Sequence, residues 1–315
     1  MSTEYRYGRK RKGIILELNN KLTEWLSTID IIPLRERVAK EIVVTGGAIS
    51  SMVLGEKVND YDIYLKTKET TKLIAEYYVD KFNKAQNLKN ATPNPIVPYV
   101  KEDKIKNCKG IFEDRIVIFI QSSGVAAEDQ ETYRYFESQP EDVTEAFLDS
   151  LKENKGAKKD KYRPVFMSGN AITLSNDIQL IIRFYGNPKE IHDNFDFQHA
   201  MCYYDYAAKE LVLPAAALEC MLSRCLIYRG SLYPVASIFR TKKFIERGWR
   251  VGAGELLKIA WQVSELNLAD PLTLQEQLTG CDAAYMHQLI TALKDTDPAK
   301  ISAAYVAGII DEIFG

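Results

Sequence analysis

The chain has 315 residues, enough for about two domains of ordinary size. Hydrophobic residues make up 46% and charged residues 27%, a balance that excludes wholesale disorder, collagen and long coiled coils. Lysine and arginine total 41 against 43 aspartate and glutamate, so the net charge of -2 gives no bulk attraction to nucleic acid. Any site for a polyanion must therefore be local.

The sequence also contains no pattern typical of a zinc site or of a membrane-spanning helix. The five cysteines show no Cys-x-x-Cys spacing and have no histidines at metal-ligand distance along the chain. No segment reaches the roughly 18 continuous apolar residues that a membrane-spanning helix needs. The charged N-terminus is not followed by the apolar segment of a signal peptide. We therefore expect a cytoplasmic protein with no membrane partner.

The first eighty residues alternate between helices and short strands. Helical spacing of apolar residues predicts the helices, and β-branched or apolar runs predict the strands. In chain order, we predict a helix over 14–26, a helix over 34–42, a strand over 42–44, a helix over 48–54 that ends at Gly55, a strand over 60–65 and a helix over 70–82.

The segment 84–163 interrupts this pattern, and we interpret it as an insertion that supplies a strand and a lid or partner surface. Its first part, 84–98, is rich in Asn, Pro and Lys and reads as a loop or linker. Residues 115–121 form a convincing buried strand, whereas 125–163 are polar and predict solvated helix and loop.

Strands return after the insertion, and helices follow them. We predict a hairpin of strands 170–174 and 178–184, a short helix over 188–194, a strand over 195–204 and, beyond 212, five or six helices. The predicted fold class is α+β, with a mixed sheet and flanking helices in domain 1–212 and an all-helical domain in 213–315.

The segment with the clearest chemistry runs from Gly46 to Leu65. A strand that ends in Gly46 and Gly47 and leads directly into a helix lets backbone N–H groups approach an anion, as in a phosphate cradle. Asp60 and Asp62 lie two residues apart on a strand, so both carboxylates project from one face. Paired carboxylates suit Mg²⁺, which usually takes further oxygen ligands from substrate phosphates. The alternative is a plain turn followed by two solvent-facing aspartates.

This segment resembles the nucleotidyltransferase superfamily related to DNA polymerase β, most closely its CCA-adding enzymes and bacterial poly(A) polymerases. That branch contains Gly-Gly-x-Val-Arg-Asp-x-Leu-Leu-Gly followed by Asp-x-Asp. Here Gly46-Gly47-Ala48-Ile49, Val53-Leu54-Gly55 and Asp60-Tyr61-Asp62 stand at the family spacing. The family's Arg-Asp pair is replaced by Ser50-Ser51, which puts the role of that pair in doubt.

The resemblance implies a third metal-binding carboxylate on a later strand beside the Asp-x-Asp strand. The predicted strand 178–184 offers only Gln179, which cannot act as a base. Asp196, at the start of the next predicted strand, is therefore our choice, with Asp193 and Asp205 as weaker alternatives. His199 falls on the opposite face of that strand and is interpreted as structural.

Cations supply the remaining predicted nucleotide contacts. Arg183 stands among apolar neighbours, where arginine often holds a carboxylate or phosphate. The segment 238–251 resembles a helix that helps hold the incoming nucleotide in the same enzymes, and Arg240, Lys243 and Arg247 share one face of it. A solvated basic face is the alternative for these three residues. Five cations between residues 6 and 12 would contact phosphates or keep the terminus solvated.

The resemblance implies transfer of a nucleoside monophosphate from an NTP to a hydroxyl, with two Mg²⁺ ions, or Mn²⁺, held by Asp60, Asp62 and Asp196. An RNA 3′ end is the favoured acceptor, and a protein or a small molecule is the alternative. A catalytically inactive module that binds nucleotide, RNA or a partner protein is the competing function, and the sequence identifies no particular protein partner. A third carboxylate that converges with Asp60 and Asp62 would distinguish the two functions.

Overall fold

The computed structural model describes residues 8–87, 97–106, 112–121 and 161–268, together with the single positions 273, 277 and 308. Contacts along the chain separate two compact units. The first unit takes residues up to 126, residues 159–229 and residues 249–252, and the second takes the rest. The polar stretch predicted over 125–163 lies, as far as residue 160, outside the described residues.

Helices and strands alternate along much of the described chain. The helices are α1 Arg11–Ser27, α2 Ile32–Glu41, α3 Gly47–Leu54, α4 Lys68–Asn87, α5 Pro188–His192, α6 Ala215–Ser223, α7 Pro234–Glu246 and α8 Ala253–Ser264, with a 3₁₀ helix at Gln198–Ala200. The strands are β1 Ile42–Thr45, β2 Tyr61–Leu65, β3 Val97–Lys106, β4 Phe112–Gln121, β5 Pro164–Met167, β6 Ala171–Leu174, β7 Ile178–Ile181, β8 Tyr203–Asp205, β9 Glu210–Val212, β10 Cys225–Leu226 and β11 Arg250–Val251.

A mixed sheet forms the centre of the first unit, in the strand order β5-β6-β7-β2-β1-β8-β9. The β2–β7 pair is parallel, and the other neighbours are antiparallel. All four residues of β1 are buried, as expected for a central strand rich in β-branched residues. The mixed sheet with flanking helices agrees with the predicted fold class.

Helix α1 packs through the apolar stripe that its sequence predicts. Ile14, Leu18, Leu22 and Trp25 recur at helical spacing and are fully buried. The Trp25 indole N–H donates a hydrogen bond of 2.8 Å to the hydroxyl of Tyr78 on α4. This contact joins two helices that are far apart in sequence.

The strands β3 and β4 form a separate antiparallel hairpin within the region predicted as an insertion. The sequence predicted the strand 115–121 within β4, whereas β3 was not predicted and begins at Val97, inside the stretch 84–98 that was interpreted as a loop or linker. Lys68 and Lys72 of α4 form ion pairs of 2.8 Å with Glu102 of β3. These ion pairs connect the hairpin to α4. They are exposed to solvent, so each of them contributes little to the free energy of unfolding by itself.

The strand predicted over 195–204 is wrong. Residues 198–200 form the 3₁₀ helix, and the sheet takes up the chain only at Tyr203. Side-chain hydroxyls, rather than a neighbouring strand, hydrogen-bond two backbone carbonyls of this segment. The hydroxyl of Ser50 donates to the carbonyl of His199, and the hydroxyl of Thr45 donates to the carbonyl of Cys202. The rings of Phe195 and Phe197 pack against those of His192 and His199 in this irregular segment.

The helices predicted after residue 212 are present in part, as α6, α7 and α8. An all-helical C-terminal region is not confirmed, because β10 and β11 form a parallel pair there. Trp249, just before β11, is buried, and its ring lies 4.5 Å from that of His199. Among the helices that the structure describes, none has the length and apolar character needed to cross a membrane.

Candidate functional site

The turn between β1 and α3 is formed by a glycine that another residue would fit poorly. Gly46 is buried and has φ of 87°, a conformation that residues with a side chain rarely adopt. It is the N-cap of α3 and has no side chain with which to satisfy the first N–H groups of that helix. These N–H groups, together with the helix dipole, make the turn suitable for an anion.

Asp62 lies directly against this turn. It is the second residue of β2 and is half-buried, whereas Asp60 precedes the strand and is exposed. A Cβ atom built on Gly46 would stand 3.2 Å from Oδ2 of Asp62. The glycine turn and the Asp62 carboxylate therefore form one continuous site.

The electrostatics of the two carboxylates favour a cation. Burial raises the pKa of Asp62 well above its ordinary value, and the negative charge of Asp60 raises it further. Two carboxylates that repel each other in a partly desolvated place are stabilised when a divalent cation neutralises them. Oxygen ligands of this kind are those that Mg²⁺ prefers, so the pair fits one such ion.

A polar row extends from Asp62 across two further strands. Asp62 pairs with Gln179 of β7, and Gln179 pairs with Thr173 of β6. All three residues are half-buried, and we call them the polar row. The rows on either side of it are buried and largely apolar: Tyr61, Ile178 and Leu174 on one side, and Ile63, Leu180 and Ile172 on the other. Successive side chains of a strand point to opposite faces, so the polar row lies on the less buried face of these strands, which is the face suited to a polar ligand.

Asp196 is placed in the irregular segment that replaces the predicted strand. Its backbone carbonyl accepts a hydrogen bond of 2.8 Å from the N–H of Arg229, and the nearby 3₁₀ helix begins at Gln198. Within the ranges that the structure describes, no group of three or more His, Cys, Asp or Glu side chains is arranged to hold a metal. Asp60, Asp62 and Asp196 are therefore not grouped in a metal-binding arrangement among the described residues.

The two alternatives to Asp196 have other surroundings. Asp193 is exposed at the C-cap of α5. Asp205 lies on β8, opposite Val43 of β1, and its carboxylate forms an ion pair of 2.6 Å with Lys66. The Lys66 contact explains the conformation of Asp205 without a metal.

Thr45 and His192 form a buried hydrogen bond next to the glycine turn, and the sequence did not indicate this contact. The hydroxyl of Thr45, next to Gly46, lies 2.8 Å from the carbonyl of Cys202 and 2.7 Å from Nε2 of His192. Because a carbonyl only accepts, the Thr45 hydroxyl donates to it and His192 donates to Thr45 through Nε2. Burial lowers the pKa of His192 to about 4, with a further contribution from the Arg229 charge, so the ring is neutral near pH 7. A histidine among polar residues gives no signal of such a role in the sequence.

The predicted cations are not all brought to the carboxylates. Arg183 is buried two residues beyond the end of β7, and its guanidinium lies 5.3 Å from the ring of Phe184. Its contact with a phosphate stays a prediction. Arg240, Lys243 and Arg247 belong to the second unit, and their contact with a nucleotide stays a prediction.

A model of the Gabija anti-defense 2 family matches residues 16–224, about two thirds of the chain. The chain belongs to this family. The matched segment contains the glycine turn, Asp60, Asp62 and the whole polar row. No curated protein matches the chain.

Solved structures of CCA-adding enzymes are similar to the chain at low identity. The Thermotoga maritima CCA-adding enzyme complexed with tRNA is 12% identical with a TM-score of 0.42, and the match covers 97% of this chain and 54% of that one. An apo form of a CCA-adding enzyme is 11% identical with a TM-score of 0.39 over 97% and 54%, and a complex with CTP is 13% identical with a TM-score of 0.35 over 91% and 53%. The chain spans about half the length of these structures, and at such scores nothing about its activity follows from them.

Proposed function

We propose that the protein is a Mg²⁺-dependent nucleotidyltransferase that moves a nucleoside monophosphate from an NTP to a hydroxyl acceptor. The observation that supports this most directly is that Asp62 lies against the glycine turn, so closely that a Cβ atom on Gly46 would stand 3.2 Å from its Oδ2. A phosphate cradle and a cation-binding carboxylate in contact are what a metal-bound triphosphate requires.

Each residue of the site has a distinct part in this proposal. The backbone N–H groups at Gly46 and Gly47 hold the β- and γ-phosphates, and Asp60 and Asp62 hold the cation. A bound Mg²⁺ would neutralise phosphate charge and stabilise the departing pyrophosphate. His192 and Thr45 keep the turn in place from the buried side. The fixed arrangement of these groups orients the α-phosphate toward the acceptor.

The reaction forms a bond between the acceptor oxygen and the α-phosphorus and breaks the bond from that phosphorus to the bridging oxygen of the β-phosphate. Pyrophosphate leaves with the electron pair of the broken bond. The proton of the acceptor hydroxyl passes to solvent, because Gln179 beside Asp62 cannot accept it.

The proposed acceptor is an RNA 3′ end, on the basis of the resemblance to CCA-adding enzymes. The exposed cations from Arg9 to Lys12 are consistent with a local contact to phosphates. The family description gives the proposal its biological setting, in which nucleotidyl transfer would counteract Gabija defense.

Label transfer tests this function directly. The full chain is incubated with each α-³²P-labelled NTP, Mg²⁺ and RNA, and we expect label at the RNA 3′ end. Asp62→Asn and Asp60→Asn should each reduce transfer by at least about a hundredfold, as expected when transition-state charge loses its electrostatic support. Asp177→Asn is the matched control, because Asp177 is an exposed aspartate in the turn between β6 and β7, 3.9 Å from Lys21.

Full transfer by Asp62→Asn, or the absence of transfer to RNA and to proteins or small molecules of a Gabija-bearing lysate, would contradict the proposal. Circular dichroism of each variant distinguishes loss of activity from loss of fold.

A second function, nucleotide binding without transfer, is favoured by Gln179, a neutral residue next to Asp62. It predicts that a non-hydrolysable NTP binds with Mg²⁺ and that Asp62→Asn abolishes this binding, while no label is transferred. Binding together with transfer excludes the second function, and the absence of both excludes both functions.

A further inference from the structure

The strand beside β2 contains a glutamine at the position nearest to Asp62. The two strands are parallel, and Asp62 and Gln179 are direct partners in their register. Neighbouring strands are about 4.8 Å apart, so a carboxylate at position 179 would stand close enough to share a pair of cations with Asp62. The remaining residues of β7, Ile178, Leu180 and Ile181, contain no oxygen or nitrogen in their side chains.

A glutamine changes the charge that this site presents. Its amide is neutral, cannot take a proton and offers both a donor and an acceptor. Asp60 and Asp62 together contribute two negative charges, which one divalent cation balances. Thr173, the next member of the polar row, adds a hydroxyl and no charge.

Two other aspartates on or beside this sheet contact lysines. Asp205 of β8 forms an ion pair of 2.6 Å with Lys66, and Asp177, in the turn between β6 and β7, lies 3.9 Å from Lys21. Among the described residues, no third His, Cys, Asp or Glu completes a metal-binding group with the aspartate pair. Beyond the two aspartates that hold the first cation, a second cation would therefore find no further protein carboxylate among the described residues to complete its site.

We infer that this site holds a single divalent cation, and that the Gln179 amide hydrogen-bonds the substrate where a second cation would otherwise be bound. The inference rests on the proposed function, since it concerns the same aspartates and the same nucleotide. It departs from the two-ion arrangement that the resemblance implies.

Manganese and electron paramagnetic resonance provide the test. The full chain is titrated with Mn²⁺ in the presence of a non-hydrolysable NTP, and the bound ions are counted and their spectrum recorded. We expect one Mn²⁺ per chain with the six-line spectrum of an isolated ion. Gln179→Glu should bind two ions with a spin-coupled spectrum, because ions in a shared carboxylate site lie about 3.5–4 Å apart.

Thr173→Glu is the matched control, since it adds the same charge to the polar row but one strand further from Asp62. It should keep one ion per chain.

Two coupled ions in the unchanged protein would overturn the inference and leave the proposed function intact. One ion in both the unchanged protein and folded Gln179→Glu would overturn the assignment of position 179. No bound manganese in the unchanged protein would overturn the proposed function as well. If Gln179→Glu fails to fold, the ion count of the unchanged protein still decides between one cation and two.

Discussion

At position 46, the backbone conformation and the neighbouring carboxylate both exclude a side chain. The φ of 87° is unfavourable for an L-residue, and a Cβ would approach Oδ2 of Asp62 to 3.2 Å. Gly47, one residue further, is exposed and has no such neighbour within 4 Å of its Cβ position. The two glycines of the motif therefore have different roles, which the sequence alone does not distinguish.

This difference gives a paired prediction for the two glycines. Gly46→Ala should lower the free energy of unfolding by about 1–3 kcal/mol, the usual cost of holding a residue with a side chain at a φ and ψ that are essentially restricted to glycine. It should also weaken binding of a Mg²⁺–NTP analogue by displacing Asp62. Gly47→Ala should change either quantity only slightly. Urea unfolding and equilibrium nucleotide binding measure the two effects, and equal losses in both variants would contradict this account of the turn.

Among the elements, α5 is the smallest helix that the site depends on. With five residues it is too short to be stable alone, and its N-terminus is fixed by a capping box between Asn187 and Glu190. Ile191 is buried against Val43 and Tyr64 of the sheet. His192, at the end of the helix, then reaches Thr45 beside the glycine turn. The position of α5 is therefore coupled to the position of Gly46.

The buried histidines predict how stability depends on pH. Burial lowers the pKa of His192 and of His199 to about 4 in the folded protein, whereas an unfolded histidine titrates near 6.5. The unfolded state therefore takes up protons first as the pH falls. Stability should decrease from about pH 6.5 to about pH 4, by roughly 3 kcal/mol for each histidine, and these groups should have no further effect below that range.

Urea unfolding at several pH values tests this prediction. It is best performed on Asp62→Asn, because the raised pKa of Asp62 has the opposite effect on stability. The further substitution His192→Gln should remove about half of the loss between pH 6.5 and pH 4. An unchanged dependence on pH would show that the pKa of His192 is the same in the folded and the unfolded protein.

The elements around the site were predictable where the sequence pattern is local. The β-branched run of β1, the two glycines and the end of α3 at Gly55, which has φ of 71°, follow from residues that are adjacent in sequence. The segment 195–204 was not predictable, because Thr45 and Ser50 satisfy its carbonyls from about 150 positions away. The pairing of Gln179 with Asp62 depends on strand order, which no local pattern contains.

At the scale of the whole molecule, the chain leaves the first unit after Arg229 and returns to it at Trp249. The return is fixed by the pairing of β11 with β10 and by the burial of Trp249 against His199. Two strands of two residues each leave no readable alternation, so the sequence predicted only helices here. The first unit is therefore built from segments that are not continuous in sequence.

Truncation of two tryptophans, Trp249 and Trp261, should have very different effects on stability. Trp249 is 4% exposed, whereas Trp261 of α8 is 66% exposed. Trp249→Ala should lower the free energy of unfolding by about 3 kcal/mol or more, the usual cost of truncating a buried aromatic ring. Trp261→Ala should stay within about 0.5 kcal/mol of the unchanged protein. Urea unfolding followed by circular dichroism measures both, and a mild effect of Trp249→Ala would contradict its role in the first unit.

The parallel pairing of β2 with β7 also has a consequence for how the protein is made. More than a third of the chain separates Asp62 from its partner Gln179, so this contact closes a long loop and is expected to form late in folding. On the ribosome, the two aspartates emerge well before β7 is synthesised. A nascent or prematurely ended chain therefore contains the aspartates without the neighbouring strand, and we expect the proposed site to be complete only when synthesis has passed β7.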